Sequence, residues 1–128
     1  PGQKVVYFVL NLSKRKKDIR KLIRNLENCI IKTLMDFKIK SFNDKNNIGI
    51  WVNDNSEVKK VAAIGIRVKR WVAYHGFSVN ITNDTDAYKN IIPCGIHDKK
   101  ITNLYSIKKS NYSNFDKKMI NNFLRIFK

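Results

Sequence analysis

The sequence predicts an α+β domain: a mostly antiparallel, mixed sheet packed by helices. Segments of strand character cluster in the middle of the chain, between an amphipathic helix near its start and another at its end. A doubly wound parallel fold would instead alternate strand and helix. The 128 residues, 43% of them hydrophobic, are enough for a single core. No internal repeat or linker composition divides them, so residues 1–128 read as a single domain.

Taken in order, residues 4–12 form a β-branched and aromatic run that reads as a buried strand. Across residues 18–38, Ile19, Leu22, Ile23, Leu26, Ile30, Leu34 and Phe37 recur at helical spacing, with lysines and arginines on the outer face. Cys29 lies beside that stripe and reads as a core or boundary residue without chemistry. Residues 43–47 are a polar turn, 48–52 a short strand, and Asn53-Asp54-Asn55-Ser56 a tight turn into a return strand over 58–69. Strict alternation in that strand puts Val61, Ala63, Gly65 and Arg67 on one face, and Ala62, Ile64, Ile66 and Val68 on the other. Lys60 then falls on the Ile64 face unless the strand is irregular where it begins. Ala63 and Gly65 leave a shallow gap, which suits either a ligand chain against the backbone or a close helix–sheet contact.

Residues 71–82 are a third strand-like run, interrupted at His75-Gly76, where a glycine marks a bulge or a close approach. His75 by itself reads more readily as a hydrogen-bonded structural histidine than as a ligand. Residues 84–91 form a short helix or turn leading into Pro93-Cys94-Gly95, and residues 101–107 are mostly extended. Ser113-Asn114-Phe115-Asp116 is a Ser-x-x-Asp capping signal for a final helix carrying Met119, Ile120, Phe123, Leu124 and Phe127.

Two residues carry candidate chemistry. A thiolate forms a thioester readily and yields it to an amine, which splits acyl transfer into two easier steps. Pro93 and Gly95 shape a tight turn around Cys94. Such a turn either exposes the thiol or buries it, and both readings fit. An ordinary thiol has a pKa near ~8.5 that a neighbouring cation lowers, and Lys60 offers that cation. His97, three residues past Cys94, is a rival base for it. Cys29 and Cys94 form no Cys-x-x-Cys pair, so no metal is expected. No Gly-x-Gly-x-x-Gly or phosphate-loop pattern suggests a nucleotide.

The net charge of +16 has two readings: codon bias toward Lys, Asn and Ile, or an acidic partner drawn in by complementary charge. The densest basic run, Ser13-Lys14-Arg15-Lys16-Lys17, lacks the interleaved aromatics of a nucleic-acid site, so no nucleic-acid partner is expected. No apolar run approaches bilayer length, so no membrane partner is expected either. A reactive thiol suits a reducing cytoplasm.

Pro1-Gly2-Gln3, residues 7–12, Gly49-Ile50-Trp51-Val52, residues 60–67, His75-Gly76-Phe77-Ser78-Val79-Asn80 and Pro93-Cys94-Gly95 together resemble the lipoyl(octanoyl) transferases, in that family's order and spacing. The resemblance implies a biotin/lipoate-ligase-like fold. It also implies octanoyl transfer from acyl carrier protein to a lysine of lipoyl domains, those of 2-oxoacid dehydrogenase complexes and of the glycine cleavage protein, with no cofactor. Carried over, Cys94 is the acyl-thioester nucleophile and Lys60 lowers its pKa. Ala63, Ile64, Gly65, Gly76, Phe77 and Ser78 line the acyl pocket. Family members carry a further segment ahead of Pro1-Gly2-Gln3, so a catalytic domain truncated at its N-terminus, with an exposed sheet edge, is expected. His97 is not part of the family pattern. The alternative is a basic, non-enzymatic module that binds nucleic acid or an acidic protein.

Overall fold

A computed structural model of the chain describes residues 2–15, 17–83 and 100–127. Strands β1 (Gln3–Asn11), β2 (Ile50–Asp54), β3 (Glu57–Lys69) and β4 (Val72–Asn80) form an antiparallel sheet in the order β1-β4-β3-β2. A short strand, β5 (Lys100–Ile101), pairs in parallel with Lys59 and Lys60 of β3 and makes the sheet mixed. Helices α1 (Ile19–Asp36), α2 (Leu104–Ile107) and α3 (Phe115–Phe127) complete the described structure, with a 3₁₀ turn at Leu12–Lys14. The expected α+β, mostly antiparallel architecture is borne out.

Local sequence accounts for most boundaries. The Asp18 carboxylate accepts a hydrogen bond from the Lys21 backbone N–H at 3.1 Å, which satisfies one orphan donor at the start of α1. Leu22, Leu26, Cys29, Ile30, Thr33 and Leu34 are buried along one face of α1. Ile19, expected in that stripe, is exposed at the first turn. The β2–β3 turn places Asn55 and Ser56 at φ 51° and 68°, and the β3–β4 turn places Arg70 and Trp71 at 51° and 63°. Consecutive positive φ values match the right-handed twist of a two-residue hairpin.

The helices cover one face of the sheet. Leu10, Ala62, Ala73, Phe77, Val79, Ile50 and Val52 join α1 and α3 in the core, with Val6, Phe8, Ile64, Ile66 and Val68 packed against it. Phe8 of β1 meets Phe123 of α3 with ring centroids 5.7 Å apart. A polar clip ties the helices together: Asn122 donates to Thr33 Oγ1 and to Asp36 Oδ2, both at 3.0 Å. Thr33 in turn donates to the Cys29 carbonyl at 2.8 Å.

Several local expectations are corrected. In β3 the partner of β2 jumps from Ala62 to Lys60 between Ile50 and Trp51, so Val61 is the extra residue of a β-bulge. Val61, expected on the face of Ala63, is therefore buried together with its neighbour Ala62. Strand β4 continues through His75-Gly76 without a break in register. Residues 101–107 are extended only at their start, because the Asn103 side chain accepts from Ser106 N at 2.7 Å and caps the helical turn α2. Helix α3 begins at Phe115, so Ser113 stands one residue ahead of the capping position, and its N–H is taken by the Asn111 side chain at 2.9 Å. Of the apolar residues of α3, Ile120 and Leu124 are exposed beside β1. Residues 84–91 and Pro93-Cys94-Gly95 lie outside the described residues.

Candidate functional site

The sheet face turned away from the helices carries a shallow, open groove of about 450 Å³. Its floor follows from cross-strand register. Tyr7 of β1 pairs with Gly76 of β4, which pairs with Gly65 of β3, and Ser78 is flanked by Val5 and Ala63. Small residues thus meet across two strands and expose backbone to whatever lies above. A Cβ placed on Gly65 would meet no atom within 4 Å, so that glycine opens space. Gly76 has a different reason: a Cβ there would collide with the Val6 carbonyl oxygen of β1. Gly76 therefore lets the strands pair at all.

All six residues named for an acyl pocket border this groove: Ala63, Ile64, Gly65, Gly76, Phe77 and Ser78. Ile64 and Phe77 direct their side chains into the core, so their share of the groove is backbone. Val5, Tyr7, Ile66, Arg67 and His75 also line it and were not named. Residues 5–10 of β1 are apolar at every position, which hid the exposed Val5 and Tyr7 among core residues. His75 stands at a core-facing register position, between Phe8 and Ile66, yet is exposed. Its φ of 75° turns it out onto the groove, where its ring lies 4.9 Å from that of Tyr74. The reading of His75 as a hydrogen-bonded structural residue is thereby replaced.

Lys60 owes its place to the bulge. Ile50 and Trp51 point to opposite faces, and Lys60 pairs with Trp51 while Ala62 pairs with Ile50. Lys60 therefore shares the face of Ala63 and Gly65, at the Ala63 end of the groove, as the irregular start of the strand permits. Its Nζ lies 5.6 Å from the centroid of the buried Trp51 ring, within cation–π range. Trp51 is held by its indole N–H, which donates to the Asn47 carbonyl at 3.1 Å. Gly49, at φ 136°, leaves room for the Lys60 side chain, since a Cβ there would press on its Cε and Nζ.

Cys94 and His97 lie outside the described residues, but both flanks of their segment are tied down beside Lys60. Thr102 N–H donates to the Lys60 carbonyl at 2.8 Å. Asn103 Nδ2 donates to the Asn83 carbonyl at 2.8 Å, and Asn80 Nδ2 to that of Thr102 at 3.2 Å. The chain thus leaves β4 and returns at β5 next to Lys60, six residues after Cys94.

Cys29 is fully buried, its Sγ 3.7 Å from Met119 Sδ, and burial pushes its pKa up from 9.0 to about 12. It is a core thiol with no path to a thiolate at neutral pH, as its sequence position suggested. Among the described residues no group of three His, Cys, Asp or Glu is placed to hold a metal ion, and no helix is long and apolar enough to cross a membrane.

The described site is thus a small-residue groove on the open face of a mixed sheet, with a lysine at one end. The sequence pattern of the lipoyl protein ligase A/B catalytic domain matches residues 1–124, and the chain belongs to that family. Among curated relatives, the octanoyltransferase of Anaplasma phagocytophilum (strain HZ) is 41% identical over 129 residues, covering 99% of this chain and 62% of its own length. That of Rickettsia bellii (strain OSU 85-389) is 42% identical over 131 residues, covering 99% and 63%. The chain thus spans less than two thirds of these relatives. Among solved structures, biotin protein ligase from Aquifex aeolicus matches with a TM-score of 0.72 at 19% identity, over 98% of this chain and 53% of that one. A bipartite lipoate protein ligase from Thermoplasma acidophilum matches with a TM-score of 0.71 at 10% identity, over 97% and 50%. The ligase-like fold implied by the sequence is therefore present.

Proposed function

We propose that the complete protein is an octanoyltransferase of lipoate biosynthesis, moving an octanoyl group from acyl carrier protein to a lysine of a lipoyl domain. The acceptors are the lipoyl domains of 2-oxoacid dehydrogenase complexes and the glycine cleavage protein, in the cytoplasm. The observation that carries the reading is the bulge at Val61, which turns Lys60 onto the groove face beside the return of the Cys94 segment.

The chemistry takes two steps. Cys94, its proton lost to solvent and its thiolate stabilised by the Lys60 ammonium, attacks the carrier thioester and forms an acyl-cysteine. The departing carrier thiolate takes a proton from Lys60. The neutral amine of the acceptor lysine then attacks the acyl-cysteine, an amide forms, and the Cys94 thiolate leaves. Lys60, now neutral, takes the proton released by the amine and returns to its starting charge. The acyl tail lies over Ala63, Gly65 and Gly76. At ~0.8 kcal/mol per buried methylene, even partial cover of an octanoyl tail supplies a few kcal/mol of binding.

Mixing the complete protein with octanoyl-acyl carrier protein and measuring its intact mass tests the reading. The wild type should gain one octanoyl group, and Cys94→Ala none. An adduct of undiminished yield in Cys94→Ala would end the proposal. His97→Gln should keep most of the activity; a loss as deep as that of Lys60→Ala would make His97 the base.

A further inference from the structure

On the proposed acyl-transfer reading, we infer that Arg67 sets the upper limit on acyl-chain length. The groove runs along β3 from Ala63 to Arg67 and along β4 from Ser78 to His75. It stops there: the next outward positions, Lys69 on β3 and Val9 on β1, take no part in it, although Val9 is exposed. Ala63 marks the end near Lys60, where the carbonyl carbon must react, so the methyl end of the tail points toward Arg67.

Lengths match that assignment. Four residues separate Ala63 from Arg67, a span of roughly 13 Å at strand rise. The seven carbons beyond an octanoyl carbonyl, zigzagging with bonds of ~1.5 Å, extend roughly 9 Å. Such a tail crosses the Gly65–Gly76 floor and ends roughly 4 Å short of Arg67. A dodecanoyl tail, four carbons longer, runs under the guanidinium and strips water from it. Arginine cannot escape that cost by losing its proton, and the Arg67 guanidinium makes no hydrogen bond or ion pair among the described residues that could replace the lost water. His75 stands one position nearer the glycine floor, opposite Ile66, and lines the groove just ahead of Arg67.

The test is a competition in the complete protein. Octanoyl- and dodecanoyl-acyl carrier protein are supplied together with a lipoyl domain, and product masses are read. The wild type should give almost wholly octanoyl product. Arg67→Leu and Arg67→Met should each raise the dodecanoyl-to-octanoyl ratio about 10-fold or more, in the range expected for discrimination among apolar chains. Arg67→Lys, which keeps a cation, should stay near the wild-type ratio. Two results overturn the inference: an unchanged ratio in both apolar variants, or equal loss of both products in variants that melt like the wild type. Wild-type protein that forms no acylated lipoyl domain at all would instead overturn the transfer reading on which the inference stands.

Discussion

Single residues decide what this groove can hold, and its two glycines do so for opposite reasons. Gly65 faces open space, whereas Gly76 faces the backbone of β1. Gly65→Val in the complete protein should therefore leave the melting temperature within a degree or two and sharply lower octanoyl transfer by filling the floor. Gly76→Ala should unfold or severely destabilise the domain, since a backbone collision cannot be relieved by rotating a side chain. A Gly76→Ala variant that melts normally would show that β1 does not press on β4 as described. The gap at Ala63 and Gly65 was legible in the residues themselves, because small residues in a strand have few uses; the other four groove residues came only with the family resemblance. The side taken by Lys60 was not, because alternation counted from Ala62 gives the wrong face once Val61 is an extra residue. His75 misled for a related reason: its outward turn depends on one backbone angle that no periodicity encodes.

Elements were read best where one pattern dominated. Helix α1 shows a clean apolar stripe and an aspartate cap, and it lies within two residues of its expected limits. Strand β1 was recognised as a strand but taken as buried on both faces. It is an edge among the described strands, with Val5, Tyr7 and Val9 exposed, because no described element covers that side. Helix α2 escaped notice because its four residues are too few to show a period, and only Asn103 signalled it. The α1–α3 contact rests partly on the buried Asn122, whose amide bridges Thr33 and Asp36. Asn122→Ala should cost about 1–3 kcal/mol, since it leaves the buried Thr33 oxygen without its donor. Chemical denaturation should show a lower midpoint with an unchanged slope. A midpoint equal to that of the wild type would mean the clip adds nothing to stability.

At the scale of the whole molecule, charge dominates. The +16 balance is offset locally by few ion pairs among the described residues, chiefly Lys4–Asp116, Lys59–Asp54 and Lys100–Glu57. The last joins β5 to the beginning of β3, and the Lys100 ammonium holds the Glu57 carboxyl below its usual range. On the proposed function, such a surface should speed encounter with an acidic carrier. kcat/KM for octanoyl transfer should fall roughly 10-fold as salt shortens the Debye length from about 10 Å toward 3 Å, with kcat nearly constant. A flat salt profile would assign the charge to codon bias instead. The fold class was legible because strands crowd the middle of the chain; the mixed pairing was not, because β5 is two residues long.

The slip in pairing at Val61 has a use beyond this chain. Two consecutive inward residues, Val61-Ala62, separate strand halves of opposite phase, so a lysine ahead of the pair and small residues after it come to share one side. A distant sequence can be screened for that phase reversal with no coordinates at all: the amine should sit an odd number of positions from the small residues, where ordinary alternation would demand an even one.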